Sequence, residues 1–375
     1  VCSSDLPERA TVTILDGGIS AFHRAAIERV LRPFDSIAAI SFVSCDAFEE
    51  LEGLKISSRW APAAFSHLFL DRILGAAVEK ALYLDADIMV RRNLWDLWQE
   101  DRKGAPALAV QSFTYPWLGS HPDLPPVCEA LQVSTHAAYC NTGVLVMDLR
   151  AWRREAIGQR VLEVVERFGL SERSADQNPT NMVMAGRWGL LDPRWNTCML
   201  NVSAFRISGP VRERLGLTAE AMDPPEGPQR DALRQRLVDE AYIVHFSGIH
   251  KPWHHYHETL YRDLYRDQLL ASGWYEDIES REALDARLSE DDQAYQAWLR
   301  RGSTFADTMQ RLIPRDVGVV VVEGEGIEFG EDRWPSLQRM YAPEDDASAL
   351  ATLQLLRQEG ARLLVFAWTA FWWLD

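Results

Sequence analysis

The chain lacks most of the features that would place it at a glance. Its five cysteines (Cys2, Cys45, Cys128, Cys140, Cys198) are odd in number, scattered, and never in C-x-x-C spacing. That excludes a sequence-encoded zinc ribbon or a disulfide framework and fits a reducing cytoplasm. No apolar run approaches the ~18 residues of a membrane span, and no signal-peptide pattern is visible. Basic blocks are absent too, in a chain of net charge −16, which argues against nucleic acid or an anionic membrane surface as the main partner. There is no internal repeat and no low-complexity tract. An acidic protein of this kind can hold an anionic ligand only through a metal or a few placed Lys and Arg side chains.

What is present is enough chain, 375 residues, for one large domain and a smaller one. Both ends look unnatural. The opening VCSSDL (residues 1–6) reads like translated sequencing adapter and is set aside from fold reasoning. The apolar, aromatic stretch Ala367–Asp375 (AWTAFWWLD) is a poor terminus for a folded domain, so the chain reads as a fragment.

Thr11–Leu15, Ile37–Val43 and Ala81–Leu84 read as strands, with helices at Ile19–Leu31 (N-cap Ser20) and Ala61–Leu74 (Pro62 in the first turn) between them. That alternation predicts a parallel α/β sheet with right-handed crossovers. Further on, Asn93–Trp98 is a short helix, Ala105–Gln111 a strand, Ser112–Ala138 a long loop, and Tyr139–Met147 a strand. Asp148–Phe168 and Ser174–Ala185 follow as helices, the second capped by Ser174 or Asp176. Leu190–Asn196 is a strand end and turn, Arg206–Asp239 a charged surface insertion, and Tyr242–Phe246 a strand. Glu258–Leu270 and Ala283–Leu299 are helical, and a domain boundary is expected near Arg300–Thr304. Beyond it Val317–Val322, Ala347–Gln358 and Ala361–Ala367 give strand, helix, strand, half of a second α/β unit.

The chain is organised around Lys80–Val90 (KALYLDADIMV), an apolar strand expected to be buried on both faces and interrupted by Asp85-Ala86-Asp87. Carboxylates at i and i+2 share a side of extended chain, and at the carboxyl end of a parallel strand they face the ligand crevice. Two such anions repel and resist desolvation, so they call for a cation between them. Taken alone the tripeptide is equally a solvated turn. His245 ends another apolar strand; a lone strand histidine is more often a packed core residue. Beside two Asp, however, imidazole suits Mn²⁺ better than Mg²⁺. Gly248 permits close backbone approach to a ligand, and Lys251 offers a point charge for phosphate. His250, His254, His255 and His257 fit either a second metal or a solvated loop, and are read as the latter.

Five stretches in order, LYLDAD, YCNTGVLVMDLRAWR (Tyr139–Arg153), ADQNPTN (Ala175–Asn181), LLDPRWN (Leu190–Asn196) and IVHFSGIHKPWH (Ile243–His254), resemble glycosyltransferase family 8. The likeness runs from about Thr11 to about Leu270 and is to the galactosyl- and glucosyltransferases of bacterial lipopolysaccharide assembly. It implies a GT-A-like, Rossmann-like α/β fold with a mostly parallel sheet over residues 7–300. It also implies a Mn²⁺-dependent (Mg²⁺ as substitute), anomer-retaining transfer of glucose or galactose from a UDP-sugar to a glycan acceptor. Asp85, Asp87 and His245 match the metal ligands. Asn141, Gly248, Lys251, Asp85 and Ala86 match donor contacts, and Asp176 and Gln177 match the residues at the reacting sugar. Such enzymes act in the cytoplasm, some at the inner face of the membrane, without a transmembrane segment.

Three departures stand out. His67 occupies the position where the family usually has an Arg that contacts the donor. Asn178-Pro179 follows the Asp176-Gln177 pair in place of an acid or Gly. The family's first strand, which carries uracil and ribose contacts, has no counterpart ahead of Thr11. Residues 301–375 resemble small modules appended to polysaccharide-synthesis enzymes, with no chemistry assigned.

Overall fold

Strands β1 (Ala10–Asp16) and β2 (Ala38–Ser44) lie parallel in unbroken register from Ala10 against Ala38 to Asp16 against Ser44. The helix between them, Ala21–Leu31, starts at Ser20, whose side chain accepts the His23 amide hydrogen and satisfies one orphan donor of the first turn. The structure is a computed structural model that describes residues 10–45, 62–170, 176–217, 227–247, 251–253, 262–314, 317–322, 337–340 and 346–367. By contact density the chain divides into two units, Val1–Leu284 and Asp285–Asp375.

The expected helix Ala61–Leu74 is instead a 3-10 coil, Pro62–Phe69, and one α-turn, Leu70–Ile73. All six residues from Phe65 to Leu70 are buried, so this segment is enclosed on every side and no amphipathic face imposes a 3.6-residue period.

The strands that follow are β3 (Lys80–Leu84), β4 (Ile88–Val90), β5 (Ala107–Gln111), β6 (Cys140–Asp148), β7 (Gly189–Leu190), β8 (Thr197–Cys198) and β9 (Ile243–His245). They form two sheets, in the orders β3-β6-β5-β7 and β4-β9-β8. The direction of β6 departs from the parallel expectation, because it pairs antiparallel with both β3 and β5. This reversal brings the start of β6 beside the end of β3, and the Asp85 amide donates to the Gly143 carbonyl at 2.8 Å. β3 is half-buried rather than covered on both faces, and among the described residues its strand neighbour is β6 alone.

Alternation along β5 and β6 sets the layers. Ala107, Ala109, Leu145 and Met147 join a core with Trp152, Ile157, Val161 and Val165, while Leu108, Val110, Val144 and Val146 join a second core with Leu97, Trp195, Val211 and Leu237. The segment read as a surface insertion thus supplies Val211, Leu237 and Val238 to this second core, from helices Gly209–Arg214 and Pro228–Asp239. The Ser112–Ala138 stretch is likewise more ordered than a loop, with a helix at Pro125–Leu131. The helix expected over Asp148–Phe168 breaks in two, Leu149–Glu155 and Ile157–Phe168, at Ala156, whose φ of 48° lies in the left-handed region.

Arg153, in the first of these two helices, clamps the turn that delivers the chain into β3. Its guanidinium donates to the carbonyls of Asp71 at 2.8 Å, Gly75 at 2.5 Å and Val78 at 2.9 Å. Charge-assisted bonds of this kind contribute about 1.5–3 kcal/mol where their loss strands a carbonyl. R153A is expected to lower unfolding free energy by about 2–3 kcal/mol in urea titration. Unchanged stability would show that water satisfies these carbonyls as well.

In the second unit, β10 (Gly318–Val322) lies between β11 (Leu337–Met340) and β12 (Ala361–Phe366), all parallel. Val319 and Val321 pack with Ala306 and Met309, and Val320 and Val322 with Met340 and Leu353, so each face of β10 has its own core. β11 was not expected from the sequence. One continuous helix, Arg281–Leu312, runs through the Arg300–Thr304 stretch taken as a domain boundary.

Candidate functional site

Three strand ends converge. Asp85 follows β3 directly, Asp87 precedes β4, and His245 closes β9, where it stands opposite Ile88 in the antiparallel β4–β9 ladder. The Phe246 amide donates to the Asp87 carbonyl at 2.9 Å and locks that corner. As a result His245 Nε2 lies 3.3 Å from Asp87 Oδ1 and 3.6 Å from Asp85 Oδ2. The ligand atoms these three residues offer all lie within 4.8 Å of one another. Ala86 sits exposed between the acids.

The electrostatics of the cluster separate the two acids. Withdrawal from water pushes the Asp85 carboxyl up, and the bond it accepts from Tyr83 Oη at 2.7 Å only partly offsets this. Burial also works against charge on Asp87, but hydrogen bonds from His245 and Lys251 win and hold it at about 2. For His245, burial opposes the charged ring, yet the Asp87 carboxylate outweighs it and pushes the imidazole up to about 10. Lys251 bonds Asp87 Oδ2 and donates to the Phe246 carbonyl at 2.8 Å. The acids are thus neutralised by protein cations.

Gly143 tests whether this is a cradle for an ion. A Cβ built there would lie 2.5 Å from His245 Cε1 and 2.6 Å from Asp85 Oδ2, distances real Cβ atoms do not show. Only glycine lets β6 pass this close to the triad. Two carboxylates and an imidazole, two of the three partly open to solvent, suit a hard to borderline divalent cation that keeps positions for another ligand.

A chain of amides leads away from the triad. His245 Nδ1 contacts Asn196 Oδ1 at 2.8 Å, Asn196 Nδ2 donates to Asn141 Oδ1 at 2.7 Å, and Asn141 Nδ2 donates to Gln177 Oε1 at 3.0 Å. Gln177 Nε2 donates to Tyr139 Oη at 2.8 Å, which in turn donates to Asn178 Oδ1 at 2.7 Å. Asn181 fastens the helix Gln177–Val183 to β6, accepting from the Cys140 amide at 2.7 Å and donating to the Cys140 carbonyl at 2.9 Å.

Asp176 stands immediately before that helix, but its side chain makes no capping bond. Its Oδ2 lies 3.3 Å from His67 Nε2. His67 is only 1% exposed, stacks on Tyr83 with ring centroids 4.3 Å apart, and reaches the Ala64 carbonyl with Nδ1 at 3.1 Å. Burial disfavours its charge, and Asp176 more than compensates, so its pKa is raised. The structure therefore buries His67 against Asp176 and Tyr83.

Asp85, Asp87, His245, Lys251, Asn141 and Gln177 come together, with Asp176 and His67 forming an adjoining pair. Gly248, His250, His254, His255 and His257 lie outside the described residues, as does Ser174. Sequence reading gave no role to Gly143, Asn196 or Tyr83. A glycine inside a strand was a usable signal for close approach at Gly143. Asn196 and Tyr83 act through long-range neighbours and carried none.

The sequence pattern of glycosyl transferase family 8 matches residues 6–257. General stress protein A of Bacillus subtilis (strain 168) is 23% identical over 273 residues, 72% of this chain and 85% of that protein. Lipopolysaccharide 1,2-glucosyltransferase of Escherichia coli (strain K12) is 21% identical over 236 residues, 61% of this chain and 60% of that protein. Among solved structures, galactosyltransferase LgtC in complex with donor and acceptor sugar analogs superposes with a TM-score of 0.52 at 23% identity, over 70% of this chain and 84% of that one. That likeness shows the GT-A fold. The family pattern spans every residue of the convergent site, from His67 to Lys251, and this chain belongs to glycosyl transferase family 8.

Proposed function

We propose that the chain transfers glucose or galactose from a UDP-sugar to a saccharide acceptor with retention at the anomeric carbon, using Mn²⁺ held by Asp85, Asp87 and His245. The observation that carries this reading is the continuous hydrogen-bonded link from that triad to Gln177, which ties a cation cradle to a polar surface fit for a sugar. A sugar diphosphate has those two halves. A bound divalent ion supplies electrophilic stabilisation of negative charge on the departing diphosphate. Lys251, held at the edge of the cluster, adds a mobile point charge toward the same oxygens, an electrostatic contribution that is usually the largest in such reactions.

Retention through a covalent intermediate needs a carboxylate nucleophile. Asp176 is the carboxylate beside Gln177, and it is engaged by His67, which favours a role in orienting sugar hydroxyls. Gln177 presents an amide whose oxygen is already occupied by Asn141 and Thr142, so it flanks the anomeric carbon as a dipole. Attack by the acceptor on the face of the leaving diphosphate is then the consistent course. In this reading the acceptor belongs to a surface glycan assembled in the cytoplasm at the inner face of the membrane; no helix among the described residues is long and apolar enough to cross one.

The test is UDP release from a small panel of UDP-sugars, with Mn²⁺, with Mg²⁺ and with EDTA. Release that depends on Mn²⁺, is weaker with Mg²⁺ and is confined to glucose or galactose donors is expected. Release indifferent to EDTA overturns the metal role, and tight donor binding with no turnover in the presence of acceptors overturns catalysis.

A further inference from the structure

The geometry points to Asn196 as a positioning residue that keeps hydrogen on His245 Nδ1, so that Nε2, the nitrogen facing the acidic pair, is the one that gives up its proton to a cation and presents a lone pair. This deepens the metal reading of the site and rests on it. The assignment follows from two backbone amides, which can only donate. The Gly143 amide donates to one terminal atom of Asn141 at 3.0 Å, so that atom is the oxygen. The other terminus of Asn141 is therefore its NH₂, which meets Gln177 at 3.0 Å; the Gln177 atom it meets also faces the Thr142 amide at 3.4 Å and is itself an oxygen. The two anchors agree.

The rest is forced. Asn141 Oδ1 lies 2.7 Å from Asn196, which must present its NH₂ there. Asn196 then turns Oδ1 to His245 Nδ1, 2.8 Å away, with the Cys198 thiol as a second donor at 3.9 Å. An amide oxygen only accepts, so His245 Nδ1 carries hydrogen. Asn196 is fully buried, so no bulk water competes for the place. Loss of the Nδ1 hydrogen instead would set a nitrogen lone pair against Asn196 Oδ1 and leave the N–H on Nε2, toward Asp85 and Asp87, where a cation must sit.

Removing an outer partner of a metal-binding histidine costs about 10–100-fold in affinity. N196A and N196L are therefore expected to weaken Mn²⁺ binding by about that factor, counted from the EPR signal of free aqueous Mn²⁺. N196D keeps an acceptor for Nδ1 and is expected to restore binding to within about tenfold of the parent, although it loses the donation to Asn141. A second readout needs no metal: a slowly exchanging, downfield Nδ1 proton of His245 in the NMR spectrum of the metal-free protein, kept in N196D and lost in N196A and N196L. Parent-like Mn²⁺ affinity in folded N196A and N196L, or N196D as weak as N196A, would overturn the assignment. A parent that binds no Mn²⁺ defeats the metal reading instead, and the proton resonance then decides by itself whether Asn196 holds the Nδ1 hydrogen.

Discussion

D87A is expected to reduce glycosyl transfer by at least about a thousandfold while the protein stays folded. Asp87 is the one acid that both cations of the cluster touch: its Oδ1 faces His245 Nε2 at 3.3 Å and its Oδ2 bonds Lys251. On the proposed reading its loss removes a metal ligand and also frees the lysine assigned to the diphosphate. The rate should fall to that of the parent in EDTA, and EDTA should have no further effect on the variant. A D87A enzyme still sensitive to EDTA would show that Asp85 and His245 suffice to hold the ion.

The same residue predicts a pH dependence in the metal-free protein. Its folded pKa, about 2, lies below the ordinary carboxylate value. A depressed acid contributes stability above its unfolded pKa and loses it as pH falls through the folded one. The difference in stability between parent and D87A should therefore be full at about pH 5–6, decline at high pH as His245 loses its proton, and on the acid side fall through about pH 2 and vanish only below it. Thermal melts on the acid side, taken with chelator present, measure it; a gap undiminished at about pH 2 would place the effect in packing.

The second large effect is expected from G143A. The added methyl lies 2.5 Å from the His245 ring and 2.6 Å from an Asp85 oxygen. Asp85 can rotate away, but the His245 ring is only 4% exposed and pinned through Asn196. Either adjustment pulls a ligand from the cluster, so Mn²⁺ affinity should fall by about 100-fold or more, with turnover falling in step. Far-ultraviolet circular dichroism should stay at the parent level, because β6 keeps its pairing with β3 and β5. Intact Mn²⁺ binding in this variant would mean that the triad opens well beyond the spacing seen here.

What the sequence discloses of this protein follows from the range of the interactions involved. The strands around Val12, Ile40, Leu82, Val146 and Val320 announce themselves through β-branched and leucine runs bounded by turn residues. β11, Leu337–Met340, has no such signature, because its LQRM owes its strand state to β10 beside it. Strand direction is also invisible locally: nothing in CNTGVLVMD says that β6 runs against β3, yet that reversal brings Asn141 and Gly143 to Asp85. The break at Ala156 falls at a residue that ordinarily favours helix. The triad was legible because its residue types are rare at strand ends. Asn196 was not, since its meaning depends on a histidine 49 positions away. His67 stands where the family usually has a donor-contacting Arg, and only packing shows it buried and paired with Asp176.

Lys251 and His245 have a consequence for how the protein matures. In many small metal-binding domains folding waits for the ion, and the apo chain stays unfolded. Here the chain brings its own counter-charges, one ammonium and one imidazolium, so the acidic corner can close during synthesis with no ion at hand. A cation held by Asp85, Asp87 and His245 would have to take the place of a proton on His245 and of the ammonium at Asp87, so its uptake is expected to release a proton.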